Sequence, residues 1–220
     1  MPNWCANTLI FRGNKEEISL LEKKLAEWTA KELYETAFGN NWLGNLLLGA
    51  GICTKEEYDL NIFKYRCRGF IDYVSADDEK TLCVQCETAW SPMFKMWRAI
   101  LKELGLHSVD FTFISTEPGM QNFLSNDKEF LKTPYELQIY LQKEDQYLFP
   151  ILLNEDEYEK GESYISMFDL TKKDMDEFLQ KAKREFVWVK KLEDLNRILK
   201  GNHSFIEVRQ YSNAQENWFE

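Results

Sequence analysis

Few residues in this 220-residue chain have the type and spacing to do chemistry. Five cysteines come first: Cys5, Cys53, Cys67, Cys83 and Cys86. Cys83-x-x-Cys86 has the spacing of half a zinc site. On a strand, however, positions three apart point to opposite faces, so one metal cannot take both without a bend. Cys5, Cys53 and Cys67 are isolated, and His107 and His203 lie far apart in sequence. This pattern favours small buried hydrophobes over ligands. A cysteine nucleophile would need a neighbouring base, and the sequence sets none beside these thiols. No metal and no other cofactor is expected. Pro2 is a second candidate. Were Met1 removed, its nitrogen would be a secondary amine able to act as base or Schiff-base nucleophile. The structural alternative is a proline that begins an edge-compatible segment. The third candidate is a group: Asn3, Trp4, Asn7, Glu87, Trp90 and Glu117. A Trp at a strand end can wall a pocket and donate its N–H. These residues either line a ligand site at one end of a sheet or tie the strand ends together by hydrogen bonds.

Positioning them falls to a strand and helix over Thr81–Leu106. Thr81 to Trp90 reads as a buried strand, with Leu82, Val84, Cys86 and Trp90 on one face and Gln85 and Glu87 on the other. Ser91 is expected as N-cap and Pro92 as N1 of a helix with Met93, Trp97, Ile100 and Leu104 as its stripe. Gly105 suits the C′ position. Residues 3–12 alternate with apolar side chains on both faces, the pattern of a strand covered on both sides or central in its sheet. Asn14 is expected to cap a helix with Ile18, Leu21, Leu25 and Trp28 as stripe. Residues 29–68 read as an insertion with a short helix over Lys55–Leu60. Gly69–Ser75 is a strand, Ala76–Lys80 a hairpin loop, and Ser108–Ser115 a strand stopped by Glu117-Pro118-Gly119.

The order strand, helix, strand, strand, helix, strand is βαββαβ, the ferredoxin-like split βαβ arrangement, with the strands at Asn3 and Thr81 central. The first and third strands would then be antiparallel neighbours, and the fourth would return beside the first. All three motifs of the candidate group fall at one end of such a sheet. Beyond Met120 the expectation is a second α+β unit. It has a weak strand over Tyr135–Gln142, strands at Tyr147–Leu153, Phe186–Val189 and Phe205–Tyr211, a helix over Thr171–Glu185 capped by Thr171, and a helix through Leu192 and Leu199. The expected domains are residues 1–123 and 124–220.

Met1-Pro2-Asn3-Trp4-Cys5-Ala6-Asn7, Thr88-Ala89-Trp90-Ser91-Pro92 and Glu117-Pro118-Gly119 together resemble the YubB-like ferredoxin-fold family, uncharacterised proteins of plasmids, phages and other mobile elements. The resemblance covers roughly the first half of the chain. Family members often carry a Trp-Gly-x-Lys-Trp type segment in the insertion, of which Trp42-Leu43-Gly44 is a distant echo. The resemblance implies the fold and no reaction.

Composition bounds the function. A net charge of −10 and a pI of about 4.9 disfavour direct binding to nucleic acid, which uses Lys and Arg against phosphate, and leave room for a basic partner. No stretch approaches the ~20 apolar residues of a membrane span. The sequence shows no signal peptide, and unpaired thiols suit the cytoplasm. Three readings follow. The preferred one is a non-enzymatic binding or interaction module, its partner a protein or small molecule. One alternative is a small enzyme with its chemistry at Pro2, Glu87 or Glu117. The other is an acidic mimic of nucleic acid, built on Asp77-Asp78-Glu79 and Glu155-Asp156-Glu157.

Overall fold

Strict alternation from Trp4 onward produces a central strand, β1 (Trp4–Arg12), which buries Cys5, Asn7, Leu9 and Phe11 on one face. The other face is not closed: Trp4 and Ala6 are exposed, and Thr8 and Ile10 are half-buried. The computed structural model describes residues 3–30, 38–60, 67–153, 157–159 and 162–214, apart from the side chain of Met120. Helix α1 (Lys15–Trp28) follows, with the Asn14 side chain accepting the Glu17 N–H at 2.8 Å. Its buried stripe is Ile18, Leu21, Leu25 and Trp28, as the spacing predicts. Two short helices, α2 (Gly44–Gly49) and α3 (Lys55–Asp59), lie in the expected insertion, and Leu43, Leu46 and Leu47 bring it into the main core.

β2 (Gly69–Asp78) and β3 (Thr81–Ala89) form a hairpin whose turn shrinks to Glu79-Lys80. The expected loop over 76–80 is mostly strand. Helix α4 (Phe94–Glu103) starts two residues later than a Ser91 cap would allow. The cause is Trp90, whose φ of +66° breaks the strand. Ser91 N–H is spent on the Ala89 carbonyl, and Met93 precedes the helix with no side-chain cap. Trp90 therefore leaves the face of Leu82, Val84 and Cys86 on which strand parity had placed it. Gly105, at φ +67°, ends the helix in the left-handed conformation that glycine adopts without strain. β4 (Asp110–Glu117) does not end the sheet: after a 3₁₀ turn at Pro118–Met120 it pairs with β5 (Asn122–Ser125).

In the remainder, β6 (Tyr135–Tyr140) is the middle strand of a second sheet, antiparallel to β7 (Tyr164–Leu170) on one side and β8 (Phe205–Gln210) on the other. Between these strands lie α5 (Phe149–Leu152) and α6 (Lys172–Glu185), the latter with a Thr171–Asp174 capping box. Tyr147–Leu153 is not a strand. Its buried residues, Leu148, Phe149, Leu152 and Leu153, follow a helical rather than a two-residue period, and Pro150 sits in the first turn of the helix, where no N–H is needed. Phe186–Val189 is not a strand either: Val189 is buried while Val187 is 89% exposed. Leu192–Arg197 is a 3₁₀ helix.

The protein is a mixed α+β chain of two compact units, Met1–Asp127 with Asn213–Glu220, and Lys128–Ser212. A cut at residue 123 passes through β5. The first sheet has the order β2-β3-β1-β4-β5-β9, where β9 (Ser212–Asn213) is the last edge. The core of the first unit joins α1, α2 and α4 to one face of this sheet, centred on Phe11, Trp97 and Phe111. The second unit has its own core, built from β6, α5 and α6.

Candidate functional site at one end of the first sheet

Register brings the six candidate residues to one end of the sheet. Trp4 lies opposite Ala89, Ala6 opposite Glu87 on one side and Thr116 on the other, and Asn7 opposite Cys86 and Ser115. The Asn3 carbonyl accepts the Trp90 N–H at 2.9 Å, which pins the strand break to the start of β1. The sheet then divides the group between its two faces.

On the core face, Asn7 and Glu117 are buried beside Cys5, Thr88 and Ser115. The Asn7 amide donates to the Cys5 carbonyl at 2.8 Å, the Cys86 carbonyl at 3.2 Å and Thr88 Oγ1 at 2.8 Å. Carbonyls only accept, so the amide nitrogen must face them and the amide oxygen must face Ser115. Ser115 Oγ accordingly donates to Asn7 Oδ1 at 2.8 Å and lies 2.8 Å from Cys5 Sγ. Burial pushes the Cys5 thiol up, and its hydrogen bonds with Ser115 and Thr88 only partly offset this. A thiol held protonated in this way is a poor nucleophile. Glu117 accepts the Gly119 N–H at 3.0 Å. Gly119 is tightly enclosed: a Cβ there would stand 2.9 Å from Glu117 Oε1 and 3.2 Å from Asn3 Nδ2. The buried half of the group is thus a closed hydrogen-bond network, with Asn3 at its rim.

On the open face, Trp4 is 38% and Trp90 50% exposed, and Glu87 is exposed. Glu87 faces Ala6 on one neighbouring strand and Phe70 on the other. The Trp4 and Phe70 rings are 5.9 Å apart and tilted by 49°. The Arg68 guanidinium stands 5.1 Å over the Trp90 ring. This patch of two Trp rings, one Phe ring, a carboxylate and a guanidinium is the arrangement able to meet a partner. Sequence reading missed Phe70 and Arg68. Phe70 was detectable as a strand residue of the right parity, but nothing in the sequence marks Arg68. It also missed Cys5, Thr88 and Ser115, each of which the alternation puts on the core face.

The remaining candidates contribute little chemistry. Cys83 pairs with Ile10 and Ser75, while Cys86 sits on the core face, so the two thiols point apart. Among the described residues no group of three or more His, Cys, Asp or Glu could hold a metal. Pro2 lies outside the described residues, as do Glu155 and Asp156. In the other acidic run, Asp78 accepts the Lys80 N–H and the Thr81 hydroxyl, and Glu79 pairs with Lys15. These carboxylates build the hairpin turn. Among the described residues no helix is long and apolar enough to cross a membrane. No protein-family model matches the chain, and no match is found among curated proteins or solved structures.

Proposed function

We propose that this protein is a non-enzymatic binding module whose contact surface is the open-face patch of Trp4, Phe70, Arg68, Glu87 and Trp90. The observation that carries the reading is the division of the strand-end group. Its buried half is satisfied internally, as a rigid support is, while its exposed half presents two large aromatic side chains to solvent. Trp and Arg are enriched where proteins bind, and here they stand together on one face. In this reading the first unit is a ferredoxin-like split βαβ sheet extended by β5 and β9. The antiparallel order β2-β3-β1-β4, with α1 and α4 on one face, supports that assignment. It also gives the sheet an open face on which the patch lies. The resemblance to the YubB-like family extends the proposal to a cytoplasmic protein of a mobile element, in keeping with five free cysteines.

A photo-crosslinking amino acid placed at Ala6, on the open face, tests the reading against one placed at Lys102 on helix α4. Capture of a defined partner at position 6 that falls at least fivefold in W4A/W90A is expected. Equal capture from both positions, or capture indifferent to the two Trp residues, overturns it.

A further inference from the structure

The patch consists of two halves of related chemistry. At Trp90 a cation is already in place: Arg68 lies over the ring at a distance suited to a cation–π contact. At Trp4 and Phe70 the same kind of electron-rich surface is present, and a carboxylate is added. Glu87 is flanked by Phe70 across the β2–β3 ladder and by the Ala6 position, next to Trp4, across β3–β1. Yet no ion pair or hydrogen bond satisfies Glu87 among the described residues, although the molecule pairs many of its other exposed carboxylates with Lys or Arg. Ring quadrupoles and a carboxylate attract the same charge.

Resting on the binding-module reading, we infer that the Trp4–Phe70–Glu87 half receives a lysine or arginine side chain from a basic segment of a partner protein. The alkyl stem would lie along the rings and the cationic head would reach Glu87, the usual way a long basic side chain divides between apolar and polar surroundings. Net charge agrees: a chain at −10 steers basic segments toward itself and repels acidic ones. Arg68 prevents the Trp90 half from taking a second cation, so the site holds one basic side chain and has a defined orientation.

The probe is the capped tripeptide acetyl-Gly-Lys-Gly-amide, with acetyl-Gly-Leu-Gly-amide as control, followed through the indole N–H signals in proton–nitrogen NMR spectra. Saturable movement of the Trp4 signal by the lysine peptide alone is expected, with apparent affinity falling at least fivefold in E87Q. E22Q, which removes one exposed carboxylate from helix α1, should change it less than twofold. Equal losses in E87Q and E22Q would reduce the effect to net charge, and equal binding of the leucine peptide would make the site simply apolar. Either result overturns the inference. Partner capture at Ala6 that needs Trp4 but is unchanged in E87Q would leave the binding module standing and remove only the basic side chain from it. Lysine-peptide binding without any partner captured at Ala6 would support the cation site and count against the module.

Discussion

Removing the Asn7 side chain should be the most damaging single change at the strand end. In N7A five contacts disappear: three made by the amide nitrogen, whose two N–H groups must share them, and two accepted by the amide oxygen, from Ser115 and, long at 3.7 Å, from Cys5 Sγ. At a net ~1 kcal/mol for each of the two N–H groups and the Ser115 bond, with a little from the long thiol contact, the bonds alone come to about 3–4 kcal/mol. Ser115 and Thr88 can each keep a partner in Cys5 Sγ, which lowers the cost, whereas the small void raises it. A loss of about 3–5 kcal/mol is expected, a large share of the ~5–15 kcal/mol that holds a typical domain. N7D sharpens the test because it keeps the volume. Its carboxylate cannot donate to two carbonyls and a hydroxyl, so the ionised form is disfavoured in the folded state and the folded pKa rises above the unfolded value. N7D should therefore be least stable near neutral pH and recover as pH falls and the carboxyl protonates. Urea unfolding followed by Trp fluorescence measures both, with the slope against denaturant unchanged if only stability moves. A loss below about 1 kcal/mol for N7A, or an N7D variant more stable at pH 7 than at pH 5, would refute the closed network.

Other expectations follow from the same geometry. Burial raises the Asp145 carboxyl, but donation from Ser204 and from the Lys200 and Gly201 N–H groups at 2.9 and 2.8 Å outweighs it and leaves the pKa low. Its stabilising contribution is then present above the unfolded pKa and fades as pH falls through the folded value; D145N should flatten the acid limb of the stability–pH curve, and an unchanged limb would exclude this role. Burial pushes the Cys53 thiol up to about 11, with Glu57 adding to it, and drives Cys67 and Cys86 upward as well. A thiol reagent at pH 8 should label half-buried Cys83 first and reach the other four only in denaturant; fast labelling of Cys67 in the native protein would contradict the packing. A Cβ at Gly69 would collide with the Glu87 carbonyl oxygen, so G69A should cost more than about 2 kcal/mol by thermal unfolding and disturb the strand that carries Phe70.

Elements whose pattern ran for two turns or more were legible: the stripes of α1 and α4, the Asn14 and Thr171 caps, and the alternation of β1 and β3. Each is long enough for its period to be distinct. What stayed hidden was short or set from outside. β5 and β9 have four and two residues, too few to show alternation, and they form because β4 offers an edge to β5 and β5 in turn offers one to β9. Tyr147–Leu153 is an apolar run in which strand and helix look alike until its neighbours select a face. At the candidate site, parity predicted the common strand end, since register follows from the order of strands. Alternation already sets Asn7 on the opposite face of β1 from Trp4, and Glu87 on the opposite face of β3 from Cys86; it could not predict that Trp90 would turn to positive φ, nor which of the two faces the fold would close. Burial of a polar side chain depends on what the rest of the fold stacks above it.

Residues 212–214 have a consequence for synthesis. Ala214 is buried in the first core, and its N–H donates to the Ser125 carbonyl at 2.9 Å. On the ribosome, everything from β1 to β5 emerges before any of the second unit, and the first core can collapse around Phe11 and Trp97 at that stage. The edge of β5 must then wait, unpaired, while the whole of the second unit is made. Joining Ala214 to Ser125 closes a long loop, whose entropic cost grows only slowly with length but falls sharply once the intervening chain has folded. The topology favours an order in which the first unit forms, then the second unit, and finally the two-residue strand β9 closes on β5. A nascent chain stalled short of residue 213 would display an open strand edge, the kind of surface that other chains pair with.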